Sequence, residues 1–526
     1  MHRQEELQKV EAIIRQIIES GIPEEKLLSQ LETFDHGIPY TRLDRPCTVN
    51  DGIRQVAADD ISFLLEAWAE AAAAGRLMKF VPASGAASRM FKSLNTLAGL
   101  PDILDDAFLD AGVAAGDADC RLGRQFFDSI RNFAFVDDLK ASVSRHGIDI
   151  EDLLARGRYR DILQFVLTAK GLNYSNLPKG LIRFHRYSKG SRTPFAEHLA
   201  EAVDYTLDRN RVCRIHFTVP PEHRQAIEQH LEEIRIRHEL AGVMIMSSLS
   251  IQKPSAQTLA AGPGNDPFRT EDDLLVFRPA GHGALLENLN ELDGDIVFIK
   301  NIDNVVPDHL RETTNLYKKI LAGFLVHLQD ELFAHLQSLA RGELDQDLLD
   351  RIADFAGRQL STDLPADFRQ RPAGEQADIL FSSLNRPVRV CGMVRNQGEP
   401  GGGPFWVKNN PCCPLQIVET AQIDPADRDQ QQILGASTHF NPVDLVCGVR
   451  DFMGKPFDLM KYVDFNTGLI TAKSLGGREL KAMELPGLWN GSMAYWNTVF
   501  IGVPLPTFNP VKTVNDLLRP EHQPPA

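Results

Sequence analysis

The sequence predicts an α/β protein built on a three-layer, mainly parallel or mixed sheet, and three observations predict it. Apolar runs of strand length recur at 78–81, 213–219, 243–251 and 296–300. Helical patterns separate them, at 221–238 and at 284–290, and such alternation marks a sheet with helices on its faces. The apolar fraction of 43% and the charged fraction of 24% are those of a chain with an ordinary buried core.

Taken in order, residues 1–75 read as a helical extension. Val10, Ile13, Ile14, Ile17 and Ile18 share one helical face that ends near Gly21. Pro23 with Glu24 and Glu25 opens a second helix carrying Leu27, Leu28 and Leu31. The alanine-rich stretch 53–75 reads as a third. It delivers the chain to LMKFVPASGAASRMF at 77–91, which has a strand end, a turn of small residues and a helix start from Arg89. Residues 76–400 form the expected core, interrupted at about 101–171 by a mostly helical insertion with clusters such as Phe126-Phe127 and Phe133. The stretch 311–360 is strongly helical. Strands are expected at 388–394, 405–407 and 415–420, with Gly401-Gly402-Gly403-Pro404 as a turn. Residues 401–526 form a last part rich in strands and turns.

Charge narrows the partners. Lys+Arg 56 against Asp+Glu 71 gives −15, so there is no overall positive field to gather nucleic acid or an anionic membrane. An anionic substrate would need individual Lys and Arg residues or a metal ion. The N-terminal MHRQEELQKVEAIIRQ has no uninterrupted apolar stretch of the secretory kind, and no run reaches membrane-spanning length. Seven dispersed cysteines, with Cys412-Cys413 adjacent and no C-x-x-C, read as reduced thiols of a cytoplasmic protein.

Five short segments carry residues suited to chemistry. In Ala83-Ser84-Gly85-Ala86 every side chain is small, so backbone N–H groups can approach a phosphate at a helix start, with Arg89 adding a charge-assisted contact. A plain tight turn explains the same residues equally well. Lys179, between Pro178 and Gly180 in a turn expected to lead into a strand, either reaches a phosphate or is a solvated surface lysine. Gly281 and His282 sit in a Gly-flanked turn where backbone can approach a base or a phosphate. Asp303 follows the 296–300 strand, where open α/β sheets bind ligands, and one carboxylate there suits Mg²⁺. An Asn/Asp turn is the simpler reading. Lys512 follows the apolar Pro510-Val511 pair, which can anchor the backbone beneath a cation.

In this order the segments resemble the UDP-sugar pyrophosphorylases, UTP–hexose-1-phosphate uridylyltransferases of the nucleotidyltransferase (GT-A, Rossmann-like) fold. That family's L-A-G-G-x-G-T-R-L loop is similar to the segment from Ala83 to Met90, with Gly85 and Arg89 in register. Its P-K-G matches Pro178-Lys179-Gly180, and its P-G-H-G matches Pro279 to Gly283 apart from Ala280. N-I-D-N is unchanged at Asn301 to Asn304, V-V-E resembles Ile417-Val418-Glu419, and F-x-P-V-K with D-L-L is found from Phe508 to Leu518. The chain also resembles a bacterial family of about this length described only as a domain of unknown function.

The resemblance implies a nucleotide-binding core in 76–400 and a sugar-binding part in 401–526. It implies Arg89, Lys179 and Lys512 on the reacting phosphates, and Ala83, Ser84, Gly85, Ala86, Gly281 and His282 at the nucleotide. Asp303 would hold Mg²⁺, and Glu419, with His439 or Asn441, would meet sugar hydroxyls. The implied reactants are UTP and a sugar-1-phosphate, giving a nucleotide sugar and pyrophosphate. Ser84 and Ala87 replace family glycines, so the loop path and base preference are where departure is expected. Gly401 to Trp406 and Leu488-Trp489-Asn490-Gly491 pair aromatics with glycines, as a sugar platform does, although core burial is the commoner fate of tryptophan. A glycosyltransferase of the same fold, or a non-catalytic sugar-nucleotide sensor, is the alternative. The former usually wants a D-x-D pair, and Asn301-Ile302-Asp303 supplies one carboxylate.

Overall fold

The computed structural model describes residues 2–83, 85, 87–100, 103–398, 401–408 and 414–525. The chain divides into two compact units. One comprises Met1–Phe80, Ser250–Ile299 and Lys319–Leu505; the other comprises Val81–Leu249, Lys300–Lys318 and Pro506–Ala526.

The first unit is built on a mixed sheet. Its strands lie in the order Thr48–Val49, Gly52–Arg54, Asn497–Gly502, Val388–Arg395, His439–Gly448, Ile296–Lys300, Leu77–Pro82. Ile296–Lys300 runs parallel to Leu77–Pro82 with Ile296 opposite Leu77, and Val388–Arg395 runs parallel to Asn497–Gly502. The pairing of Val388–Arg395 with His439–Gly448 is antiparallel. All five positions of IVFIK are buried, which is why the strand shows a continuous apolar run and not alternation. Phe80, Val297, Ile299, Cys391, Leu445, Trp489 and Phe500 belong to one core cluster. Two smaller antiparallel sheets complete this unit.

Several expectations shift here. Residues 53–75 are not one helix: Gly52–Arg54 is a strand and the helix is Ile61–Ala73. Ile53 is fully buried and pairs with Phe500, so tertiary pairing overrides the local pattern. Gly402, Gly403 and Pro404 form no turn. They begin the strand Gly402–Val407, opposite Leu415–Glu419. A Cβ on Gly402 would lie 3.1 Å from Glu419 Oε1, so close approach of a neighbouring side chain explains the glycine there.

The second unit contains the expected helical insertion. Asp105, Asp117 and Asp149 cap three of its helices by accepting from Phe108, Cys120 and Glu151 N–H groups. Its core is aromatic, with Phe126 tilted on Phe133 and Phe127 stacked on Tyr159 at 4.0 Å. Phe91, Leu94, Ile182, Val305, Val511 and Leu517 join the same cluster, so the insertion supports the segments that carry chemistry. Among the described residues, no helix is long and apolar enough to cross a membrane.

Candidate functional site

Three segments far apart in sequence meet on Asp303 in the second unit. Lys179 Nζ donates to Asp303 Oδ2 at 2.9 Å and to the Val511 carbonyl at 2.8 Å. Lys512 Nζ reaches the same carboxylate oxygen at 3.3 Å. Backbone contacts fix this geometry. Val511 N donates to Asp303 O at 3.1 Å, and Asn509 N donates to Asn304 Oδ1 at 2.8 Å, so the 509–511 segment is strapped along the N-I-D-N turn. Lys512 is held from the other side, where Asp516 Oδ2 accepts from the N–H groups of Lys512 and Thr513, both at 2.7 Å.

Lys179 opens a short 3-10 turn, Lys179–Leu181, and not a strand as expected; no strand follows until His185–Tyr187. The reason is Gly180, where a Cβ would lie 2.5 Å from the Phe195 ring, so the backbone is pressed against that ring in a tight turn. Lys179 N donates to Gly85 O at 3.2 Å and Ala87 N to Leu177 O at 3.2 Å, which laces the small-residue loop to the lysine turn.

Asp303 and Lys179 have side chains only 10% and 12% exposed, whereas Lys512 is 62% exposed. Burial pushes the Asp303 carboxyl up, but Lys179 and Lys512 more than offset it and hold it below the ordinary carboxylate value. The three side chains therefore carry one net positive charge with an ammonium open to solvent, an arrangement suited to a phosphate. Both lysines are placed on Oδ2. A Mg²⁺ ion bound mostly by substrate phosphates would have this single carboxylate as its protein oxygen, and the two ammonium groups would compete for it. Among the described residues, no group of three or more His, Cys, Asp or Glu could hold a metal unaided.

Behind Asp303 stands a support that sequence reasoning missed. The helix Pro194–Thr206 is capped by Thr193 and begins with proline. It presents His198 and Glu201 on a buried face. His198 Nε2 lies 3.1 Å from Asn301 O and 3.2 Å from Ile302 O, and Glu201 pairs with Lys300 Nζ at 2.9 Å. Lys300 and Glu201 are essentially inaccessible. Charged residues at helical spacing in an otherwise apolar segment were the available signal.

The remaining expected residues divide between the units. Ala83 is buried and its N–H donates to Thr218 O at 2.9 Å. Gly85 is exposed, and Ser84 and Ala86 lie outside the described residues, as does the Cys412-Cys413 pair. Arg89 is exposed on the turn Ala87–Arg89 and does not join the ion pairs; the helix starts later than expected, at Lys92–Gly99.

In the first unit, Gly281 has φ +73°, so its backbone conformation favours glycine, and a Cβ there would lie 3.0 Å from the end of the Glu484 side chain. His282 Nδ1 accepts from Leu488 N–H at 2.9 Å, which places the ring proton on Nε2, and the ring stacks on Trp489 at 4.1 Å. Burial lowers its pKa to about 4. Trp489 is a core residue. Glu419 ends the strand Leu415–Glu419 and caps the following turn. His439 and Asn441 lie two residues apart on one strand, where Asn441 Oδ1 accepts from Val443 N–H at 3.1 Å.

The fold and site define an α/β protein with a Lys–Asp–Lys cluster following a parallel strand end. The chain belongs to the family described as Domain of unknown function (DUF4301), whose model matches residues 10–523. No curated protein matches the sequence. Solved structures similar to this chain include UDP-glucose phosphorylase from Trypanosoma brucei, at 12% identity over 96% of this chain and 77% of that one, TM-score 0.44. A mutant form of UDP-glucose pyrophosphorylase from Leishmania major matches at 13% identity, over 97% and 78%, TM-score 0.45. The uridine diphosphate N-acetylglucosamine pyrophosphorylase of Trypanosoma brucei, in complex with inhibitor, matches at 11%, over 94% and 76%, TM-score 0.46.

Proposed function

We propose that this protein is a nucleotidyltransferase that makes a nucleotide sugar and pyrophosphate from a nucleoside triphosphate, UTP by preference, and a sugar-1-phosphate. The observation that carries the reading is the convergence of Lys179 and Lys512 on Asp303, from three segments that each resemble the same enzyme family in the same order. An oxygen of the sugar phosphate attacks the α-phosphorus. The new P–O bond forms as the bond to the pyrophosphate oxygen breaks, and pyrophosphate leaves with the electron pair. An anionic nucleophile needs no general base, so the protein's task is alignment and charge neutralisation.

Lys512, solvent-facing and held at its backbone by Asp516, neutralises the α-phosphate as charge moves toward the leaving group. Lys179, fixed by Asp303 and the Val511 carbonyl, adds a second cation with little freedom to lose. Mg²⁺, when bound at Asp303, would supply further charge neutralisation of the triphosphate.

The deciding experiment is pyrophosphate release with Mg²⁺ across a matrix of nucleoside triphosphates and sugar-1-phosphates. Release with at least one pair, strongest for UTP, is expected. Silence across the matrix from protein that still binds a UDP-sugar would replace the enzyme by a binding protein.

A further inference from the structure

The strand Met244–Ile251 is the last of the sheet that Val212–Val219 belongs to, and among the described residues no strand pairs with its outer side. All but its last two residues lie in the second unit. Met244 N donates to Arg211 O at 2.9 Å, and Ser248 Oγ lies 2.7 Å from His216 Nδ1. Residues 244, 246 and 248 therefore turn their backbone groups inward. The N–H and C=O groups of Ile245, Ser247 and Leu249 point away from the sheet.

Edge strands are usually short, carry a lysine or proline, or are broken by a bulge, because a bare row of donors and acceptors is a template for another strand. This strand has none of these protections. Its sequence, MIMSSLSI, is eight residues long, uncharged and free of glycine and proline, and no residue in it has a positive φ. Met244 and Met246 are 55% and 54% exposed, and Leu240, four residues upstream, is 85% exposed. An apolar edge of this length needs cover.

The bare backbone groups specify a β-strand as the cover, and the sequence specifies which strand. A twofold axis at Ser247 would set the segment antiparallel to itself, with Ser247 opposite its own counterpart, Ile245 opposite Leu249 and Met246 opposite Ser248. In an antiparallel pair alternate facing residues exchange both bonds, so the outward groups of 245, 247 and 249 all meet their complements. No charge meets its like, because the strand has none. A second copy is also present wherever the first is, so it covers the edge permanently, as a separate peptide would not. We propose that this protein pairs with a second copy of itself through the edge at 244–249, joining two sheets into one across a twofold axis. The pairing stands independently of nucleotidyl transfer.

The test is made on the full chain. Sedimentation in the micromolar range is expected to give twice the mass of one chain. Ser247→Pro removes an outward donor and leaves the inward ladder intact, so it should return the mass to that of one chain with circular dichroism unchanged. Met246→Lys should do the same by placing a charge on the edge. Hydrogen exchange over residues 243–251, read by mass spectrometry, should slow when the wild-type protein is concentrated from monomer to dimer. A single-chain mass throughout the micromolar range would overturn the proposal and leave the edge to a strand from another protein. A dimer that persists in both variants, or one in which 243–251 exchanges as fast as in the monomer, would overturn it too. Should Ser247→Pro fail to fold, Met246→Lys and the exchange comparison decide it.

Discussion

At the scale of single residues, Lys512 is the position where function and stability separate most cleanly. Its side chain is mostly solvent-exposed, so its pairing with Asp303 adds little to folding, on the order of 1 kcal/mol or less. In the proposed reaction its ammonium lies where charge develops on the phosphate, and removing one such group costs about 10²–10³ in turnover. Lys512→Ala is therefore expected to lose most of the pyrophosphate release while its urea midpoint moves only slightly. A wild-type rate from this variant would remove Lys512 from the mechanism. Lys179, Asp303 and Lys512 were legible because each sits in a short segment where Pro, Gly or Asn marks a turn beside an apolar run. What their sequence did not say is that the two lysines share one carboxylate oxygen of Asp303. Nor did it reveal that His282 is held by Leu488 N–H and Trp489, because stacking partners more than two hundred residues apart leave no local pattern.

At the scale of elements, strands were the most legible feature where burial is continuous and least where pairing decides. Ile296–Lys300 has the limits its apolar run announces, whereas Gly52–Arg54 is a strand because Phe500 and Ile501 lie on one side of it and Thr48 and Val49 on the other. The helix Pro194–Thr206 shows the same limit for function. Its cap and proline announce the helix, but not that His198 reaches the carbonyls of Asn301 and Ile302 or that Glu201 neutralises buried Lys300. This helix supports the turn that presents Asp303. Glu201→Ala leaves the Lys300 ammonium buried without its partner carboxylate, and is expected to cost about 3–5 kcal/mol. Urea unfolding would measure it, and a loss under about 1 kcal/mol would mean that water reaches Lys300 and the pair is not the support assigned to it.

At the scale of the whole molecule, buried neutral histidines set the response to acid. Burial lowers His216, His230 and His282 to about 4 and His522 to about 3; Arg183 adds to the effect at His230, as do His185 and Arg519 at His522. In the unfolded chain each titrates near roughly 6.5. The unfolded state therefore binds more protons than the folded state between these values. The corresponding stability is fully present above about pH 6.5 and is lost as the pH falls toward about 4, by up to about 1.4 kcal/mol per pH unit for each group. Asp303 does not oppose this trend. Its folded pKa lies below the ordinary carboxylate value, so its contribution is present above about pH 4 and fades only in stronger acid. The Lys–Asp–Lys cluster should thus remain paired while the rest of the fold weakens. Urea midpoints taken at pH 7, 6 and 5 are expected to fall in sequence, with the steepest drop below pH 6. A midpoint that stays level from pH 7 to 5 would show that these histidines are solvated in the folded protein and that their burial does not govern its acid stability.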